Sequence, residues 1–273
     1  MKNYEIENIP FNNEKSLSDD GVIVLKNVIP DDYINNVREE YDILDVSLNT
    51  DEIVKDKPLI IFWKHVIGET KRITTFDKFP TLWKLIEEVI VPVLREQLPS
   101  KSSKLQLLET IIFNKPAKIS NTLNWHQDVA YFPLKPNNQI AIWLPFEKIT
   151  KEKGAMLYAL GSHKAGIRGS VNLHTKEKFE NEDRELIPDN PEDDGFQVKV
   201  MEMSQNDMII HDGYTWHSSG PNEVDGYNRR GLSVRFIIEE AMFDPRPGQG
   251  AAFTKQIEVK EGEVVKGNPF PDL

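Results

Sequence analysis

The chain has six histidines, and two of them stand in contexts that can do chemistry together. His126 and Asp128 lie one residue apart in NWHQDVAYFP. In an extended strand, residues i and i+2 project from one face, so an imidazole and a carboxylate at this spacing can grip a cation from the same side. H-x-D alone is equally the mark of a hydrogen-bonded structural pair. The second context is DMIIHDGYTWHSSGPN, where a hydrophobic run leads into a turn that delivers His217. Two histidines and one carboxylate on one face of a metal leave its other positions open, the arrangement of non-haem iron(II) oxygenases. His211, on the preceding run, is a rival ligand.

An oxygenase that reduces dioxygen needs electrons, and no G-x-G-x-x-G follows a strand to hold a flavin or dinucleotide. A small keto acid such as 2-oxoglutarate fills that role if a cation at the far wall receives its distal carboxylate. Arginine suits this task because its planar fork pairs bidentately with carboxylate. The stretch GYNRRGLSVRFIIEEA follows His217. As a strand, it puts Leu232, Val234, Phe236 and Ile238 on one face and Arg229, Gly231, Ser233 and Arg235 on the other. The second face combines cations with small residues, as a ligand-lined barrel interior would. Arg230 falls on the opposite face, toward solvent. The same stretch also reads as an edge strand with a polar outer face.

These residues need a sheet that folds over on itself. Residues 21–28 read as a short strand ending at Pro30, and Asp31 opens a helical pattern with Ile34, Val37, Tyr41 and Leu44 at three- or four-residue steps. A second helix is predicted over 81–98, kinked or split at Pro92. From 104 onward, strand-length apolar runs at 104–113, 139–146, 155–160, 196–203, 207–211 and 231–239 alternate with turns. Helices first and strands after, with no helical pattern between the strands, predict a mainly β fold. Its form is a double-stranded β-helix, or jelly roll, with N-terminal and flanking helices. The acidic segment 165–195 reads either as a lid or as a solvated excursion. The tail 244–273 reads as peripheral.

At 273 residues the chain is read as one domain, with its core over about 17–240. It has no cysteine, which excludes disulfide scaffolds, thiolate metal sites and cysteine nucleophiles. The 33 basic against 44 acidic side chains give a net charge of -11, which disfavours nucleic acid and anionic membranes as partners. The polar, acidic start does not resemble a signal peptide, and no apolar run approaches a membrane span. A cytoplasmic protein acting on a small molecule is the expectation, and nothing in the sequence speaks to its oligomeric state.

The motifs carry a family resemblance. HQDVAYFPLKPNNQIAIW resembles the iron-binding strand of the phytanoyl-CoA dioxygenase family, and GAMLYALGSHKAG is similar to that family's glycine–serine–histidine turn. Ala159 and Leu160 stand there where a leucine and a proline are usual. FNKPAK, DMIIHDGYTWHSSGPN and the opening DGVIVLKNVIPDDYINNV also fit, in the family's order. Segments 46–104 and 165–195 match poorly. The resemblance implies iron(II), 2-oxoglutarate and dioxygen, and hydroxylation of an unactivated carbon. It transfers iron ligation to His126, Asp128 and His217. It places Arg229 at the 2-oxoglutarate carboxylate, with Trp143 and Ser219 lining the pocket and Ile111 on a neighbouring strand. Gln127 occupies its characteristic position while facing away from the metal. The family's co-substrate lysine does not align; Lys64 and Lys71 are the nearest candidates.

The sequence thus predicts an iron(II)- and 2-oxoglutarate-dependent dioxygenase acting on a small-molecule metabolite. Two rivals use the same residues: a metal-dependent β-barrel isomerase or hydrolase, and a non-catalytic barrel binding protein. Tyr131, Phe132, Phe62 and Trp63 are candidate substrate walls. The only basic cluster, Lys148, Lys151 and Lys153, is too small to favour a coenzyme A thioester.

Overall fold

The computed structural model describes residues 16–48, 60–66, 79–98, 104–118, 122–173, 175–245, 260–265 and 273. A short helix α1 (Ser16–Asp20) leads into β1 (Val22–Leu25) and α2 (Asp31–Leu48). Then follow β2 (Ile60–Val66), α3 (Pro80–Leu85) and α4 (Val91–Gln97). The remaining strands are β3 (Gln106–Lys115), β4 (Leu123–His126), β5 (Leu134–Lys135), β6 (Gln139–Pro145), β7 (Met156–Ala159) and β8 (Val198–Met201). The chain continues through β9 (Met208–Asp212), β10 (His217–Ser219), β11 (Arg229–Ile237) and β12 (Met242–Phe243).

Two antiparallel sheets carry the architecture. One has six strands in the order β1–β9–β6–β11–β3–β2, the other four in the order β4–β10–β7–β8. From 104 onward the predicted strands fall within two residues of these bounds; the strand expected over 21–28 ends three residues earlier, at Leu25, and β2, β4, β5, β10 and β12 are additional. Strand alternation fixes what each face meets. Leu232, Val234 and Phe236 of β11, with Ile140, Ile142 and Leu144 of β6, are buried in one cluster with Ile34, Val37 and Tyr41 of α2 and Leu82, Leu85 and Leu94 of the second helical region. The helices therefore cover the outer face of the six-stranded sheet. Each such aliphatic side chain contributes about 2 kcal/mol by leaving water. The opposite face of β11 carries Arg229, Gly231, Ser233 and Arg235, as alternation predicts, and turns toward the four-stranded sheet. Gly231 is required there, since a Cβ would lie 2.7 Å from the Trp143 ring.

The helical run over 80–97 is divided by a π-helical turn, Ile86–Ile90, directly before α4, so Pro92 stands in the first turn after the interruption, which is the split rather than the kink of the two outcomes expected. A proline in a first turn removes no hydrogen bond that the helix needs. One local expectation is corrected. Arg230, expected in solvent, is held half-buried: it donates to Glu147 and to Asp42, and its guanidinium lies 5.0 Å from the Tyr41 ring.

The segment 165–195 is laced to the strand that carries the H-Q-D motif. Gln127 is fully buried, donating to the carbonyls of Gly166 and Tyr214 at 2.8 Å each and accepting from the Arg168 amide at 2.7 Å. Tyr131 donates to the Val171 carbonyl (2.8 Å), and the Asn124 amide to Leu173 (3.0 Å). Within the segment, Glu182 receives the amide and hydroxyl of Ser170 (2.8 Å each) and the Arg184 guanidinium. The described part of the tail is tied down too: the amides of Val265 and Leu273 donate to the carbonyls of Ala241 and Leu105.

Candidate metal centre and co-substrate pocket

Strand β4 ends at His126, and Asp128 opens a 3-10 turn, Asp128–Tyr131. The linking Gln127 is extended (φ -116°, ψ 142°), so its two neighbours still project to one side while its own amide projects to the other. His126 and His217 are register partners between β4 and β10, with ring centroids 4.1 Å apart. Donor atoms of His126, Asp128 and His217 all lie within 4.8 Å of one another, and all three residues are buried. His211 is not part of this cluster. Its Nε2 lies 3.2 Å from Asp128 Oδ2 and its Nδ1 3.2 Å from the Tyr158 hydroxyl, so it supports the carboxylate.

Both cluster histidines are oriented through Nδ1. His126 Nδ1 is 2.8 Å from the Asn124 carbonyl and His217 Nδ1 is 2.9 Å from that of Thr215. A carbonyl only accepts, so each Nδ1 carries the proton and each Nε2 keeps its lone pair for a metal. Burial pushes His126 down to about 4, with Asp128 and the Asn124 carbonyl working partly against it. Burial and the neighbouring His126 likewise hold His217 well below the ordinary imidazole value. Both rings are neutral at neutral pH, the form that coordinates. Burial alone would raise Asp128, but Arg235, His217 and the His211 hydrogen bond hold its carboxyl well below the usual range.

A pocket between the sheets joins this cluster to Lys115, Trp143, Met156, Ser219 and Arg229. Arg229 is 2% exposed, and among the described residues it makes no ion pair. One terminal nitrogen lies 3.4 Å from the Met156 sulfur, the guanidinium lies 4.7 Å from the Trp143 ring, and Nε has no partner. Burial lowers it to about 10, so it stays a cation. Lys115 donates to the Ser219 hydroxyl (2.9 Å) and the Gly220 carbonyl (2.6 Å); burial and then Arg229 lower its ammonium well below its ordinary value. A buried guanidinium and a buried lysine amine facing one pocket fit a carboxylate-bearing ligand, and the oxygen–nitrogen donor set with open sides fits iron(II).

Of the expected pocket residues, Trp143 and Ser219 line the cavity with Arg229. Ile111 is buried on β3, on the same face as Phe113 and Lys115, but it does not line the pocket. Lys64 is on β2 opposite Ile111, and Lys71 lies outside the described residues. Lys115, in FNKPAK, is the lysine in the pocket; its depth comes from the pairing of β3 between β2 and β11, which the sequence does not display. A larger cavity of about 430 Å³ lies on the outer side of the four-stranded sheet, lined by residues such as Leu157 and Val200 and by none of the donor cluster.

A two-histidine, one-carboxylate cluster inside a double-sheet jelly roll, beside a buried cation pocket, defines the class of iron(II)- and 2-oxoglutarate-dependent oxygenases. The family profile described as phytanoyl-CoA dioxygenase (PhyH) matches residues 17–231, and the chain belongs to this family. A probable phytanoyl-CoA dioxygenase of Caenorhabditis elegans is 25% identical over 233 residues, covering 81% of this chain and 72% of that protein. Among solved structures, the epimerase SnoN in complex with Fe3+, alpha ketoglutarate and nogalamycin RO superposes with a TM-score of 0.68 at 18% identity, covering 93% and 94% of the two chains. The non-heme alpha ketoglutarate dependent carbocyclase SnoK from nogalamycin biosynthesis gives 0.66 at 18% identity, covering 93% and 92%. The protein is thus an enzyme that works with iron(II), 2-oxoglutarate and dioxygen.

Proposed function

We propose that the enzyme hydroxylates an unactivated carbon of a small-molecule metabolite, with His126, Asp128 and His217 holding iron and Arg229 receiving the distal carboxylate of 2-oxoglutarate. The observation that carries this reading is the buried Arg229 guanidinium, without an ion pair among the described residues, in the same pocket as the donor cluster. Lys115 supplies a second nitrogen donor to that pocket, and Trp143 and Ser219 shape it. The bound iron and 2-oxoglutarate supply the oxidising chemistry: dioxygen and 2-oxoglutarate are converted to succinate and carbon dioxide, and one oxygen atom enters the substrate.

The chain's own part is to orient and exclude. Backbone carbonyls lock both imidazoles, Arg235 and His211 hold the carboxylate, and the segment 165–195 closes over the H-Q-D strand as a cover. We read residues 1–273 as one catalytic domain. Its net charge argues against nucleic acid, and a cysteine-free chain suits the reducing cytoplasm. SnoN and SnoK are an epimerase and a carbocyclase, so a site of this kind serves several outcomes. With iron held by these three residues, Asp128 would favour hydroxylation over halogenation, because its carboxylate would take the ligand position that a halide needs. Turnover under labelled dioxygen tests this: a product one oxygen atom heavier, with label from the gas, supports it. A product lacking the label rules it out.

A further inference from the structure

Asp128 is the most heavily supported member of the donor cluster. Arg235 donates from one terminal nitrogen to Asp128 Oδ1 (2.7 Å) and from the other to Glu109 Oε2 (2.6 Å). His211 holds Oδ2 and is itself held by Tyr158. Glu109, Arg235, His211 and Tyr158 are all buried. An ionised carboxylate at such depth is very costly unless it is paired, so the site has a resident cation.

Arg229 and Arg235 share one face of β11, yet they are used differently. Arg229 lacks an ion pair among the described residues, whereas Arg235 bridges two carboxylates at 2.6 and 2.7 Å. The oxygen that receives Arg235, Asp128 Oδ1, is also 3.7 Å from His217 Nε2, so the guanidinium and a metal held by these residues would meet at one carboxylate. A carboxylate has about four lone-pair sites, enough for two hydrogen bonds and a metal bond together.

We propose that Arg235 is a positioning residue that stands in for the metal's charge at Asp128: it neutralises the carboxylate in the metal-free protein, so the chain folds to a finished site before the metal arrives. Glu109 makes this compatible with loading, because its negative charge offsets the guanidinium when a second cation enters. The site is then the opposite of a zinc finger, in which metal binding and folding are one event. The inference rests on Asp128 being a metal ligand.

The test is the thermal unfolding midpoint of the full chain, metal-free and with manganese(II), for wild type, Arg235→Met, Arg235→Lys, Glu109→Gln and Asp128→Ala. The metal-free midpoint should fall by roughly 5–10 °C in Arg235→Met. The manganese-induced rise should be larger in that variant than in wild type, because the metal restores the missing charge; Arg235→Lys should be intermediate. In Glu109→Gln the rise should be smaller than in wild type, since the guanidinium then opposes the metal uncompensated. This second variant decides the matter if Arg235→Met does not fold. A manganese-induced rise in Arg235→Met equal to or below that of wild type overturns the proposal, as does an unchanged rise in Glu109→Gln. If Asp128→Ala keeps the full rise, it is the ligand assignment that fails.

Discussion

His126 and His217 are cross-strand partners oriented by one local device: each Nδ1 is held by the backbone carbonyl two residues earlier, at 2.8 and 2.9 Å. The tautomer is therefore set by strand geometry alone, and the two Nε2 atoms converge without a second layer of side chains. Asp128 differs, since its orientation depends on Arg235 and His211.

Metal binding should persist to unusually low pH. Metal coordination needs neutral imidazole, and His126 lies at about 4, below the ordinary value of about 6.5. Proton competition at this residue should thus set in only as pH falls toward 4. The same depression works on folding. Unfolding lets the ring bind a proton, so metal-free stability should be full above about 6.5 and decline as pH falls from there to about 4, by about 3 kcal/mol from this residue. Manganese titrations and denaturant unfolding between pH 4 and 8 check both. Loss of affinity already near 6.5 would contradict the neutral, buried ring.

Arg229→Ala should weaken 2-oxoglutarate binding by about 2–5 kcal/mol, the range seen when a buried charge pair loses a partner, while metal affinity holds. Arg230→Ala should leave co-substrate binding intact and cost about 1 kcal/mol of stability, because its partners are Glu147, Asp42 and the Tyr41 ring. Calorimetric titration of the manganese-loaded protein reads the first effect and denaturant unfolding the second. The reverse order would shift the assignment to the other face of β11.

Histidine 211 should prove dispensable for metal retention. Its Nε2 is engaged with Asp128 Oδ2, so His211→Ala should keep a full equivalent of iron, whereas His217→Ala should lose it. Metal analysis after dialysis distinguishes the two, and the opposite pattern would exchange their roles.

Glu182→Gln should loosen the segment 165–195. Burial would raise this carboxyl, but Arg184 and Ser170 more than compensate and bring it to about 2. A depressed carboxylate stabilises above its unfolded value near 4.5, and that stability is lost as pH falls through about 2. Hydrogen exchange at residues 165–195 should rise in the variant at neutral pH, with β6 and β11 unchanged. Unaltered protection in that segment would show that Glu182 does not hold it.

Much of the centre was legible because strand alternation converts spacing into direction. His126 and Asp128 follow from H-x-D across an extended Gln127, and Arg229 from the period-two pattern of β11. Other features lay beyond reach because they depend on pairing between distant segments. Lys115 reads as an ordinary lysine until β3 is flanked by β2 and β11. Arg235 resembles Arg229 in sequence, and only Glu109 and Asp128, brought from β3 and the turn after β4, separate their roles. The π-helical turn before Pro92 left no sequence signal beyond the proline itself.

The most direct test is oxygen uptake by the purified protein supplied with iron(II) and 2-oxoglutarate, with succinate quantified alongside. The account predicts slow uptake even without substrate, matched one to one by succinate, abolished in Asp128→Ala, strongly reduced in Arg229→Ala, and absent when zinc replaces iron. No uptake by the iron-loaded wild type, or uptake that does not depend on Asp128, would contradict it.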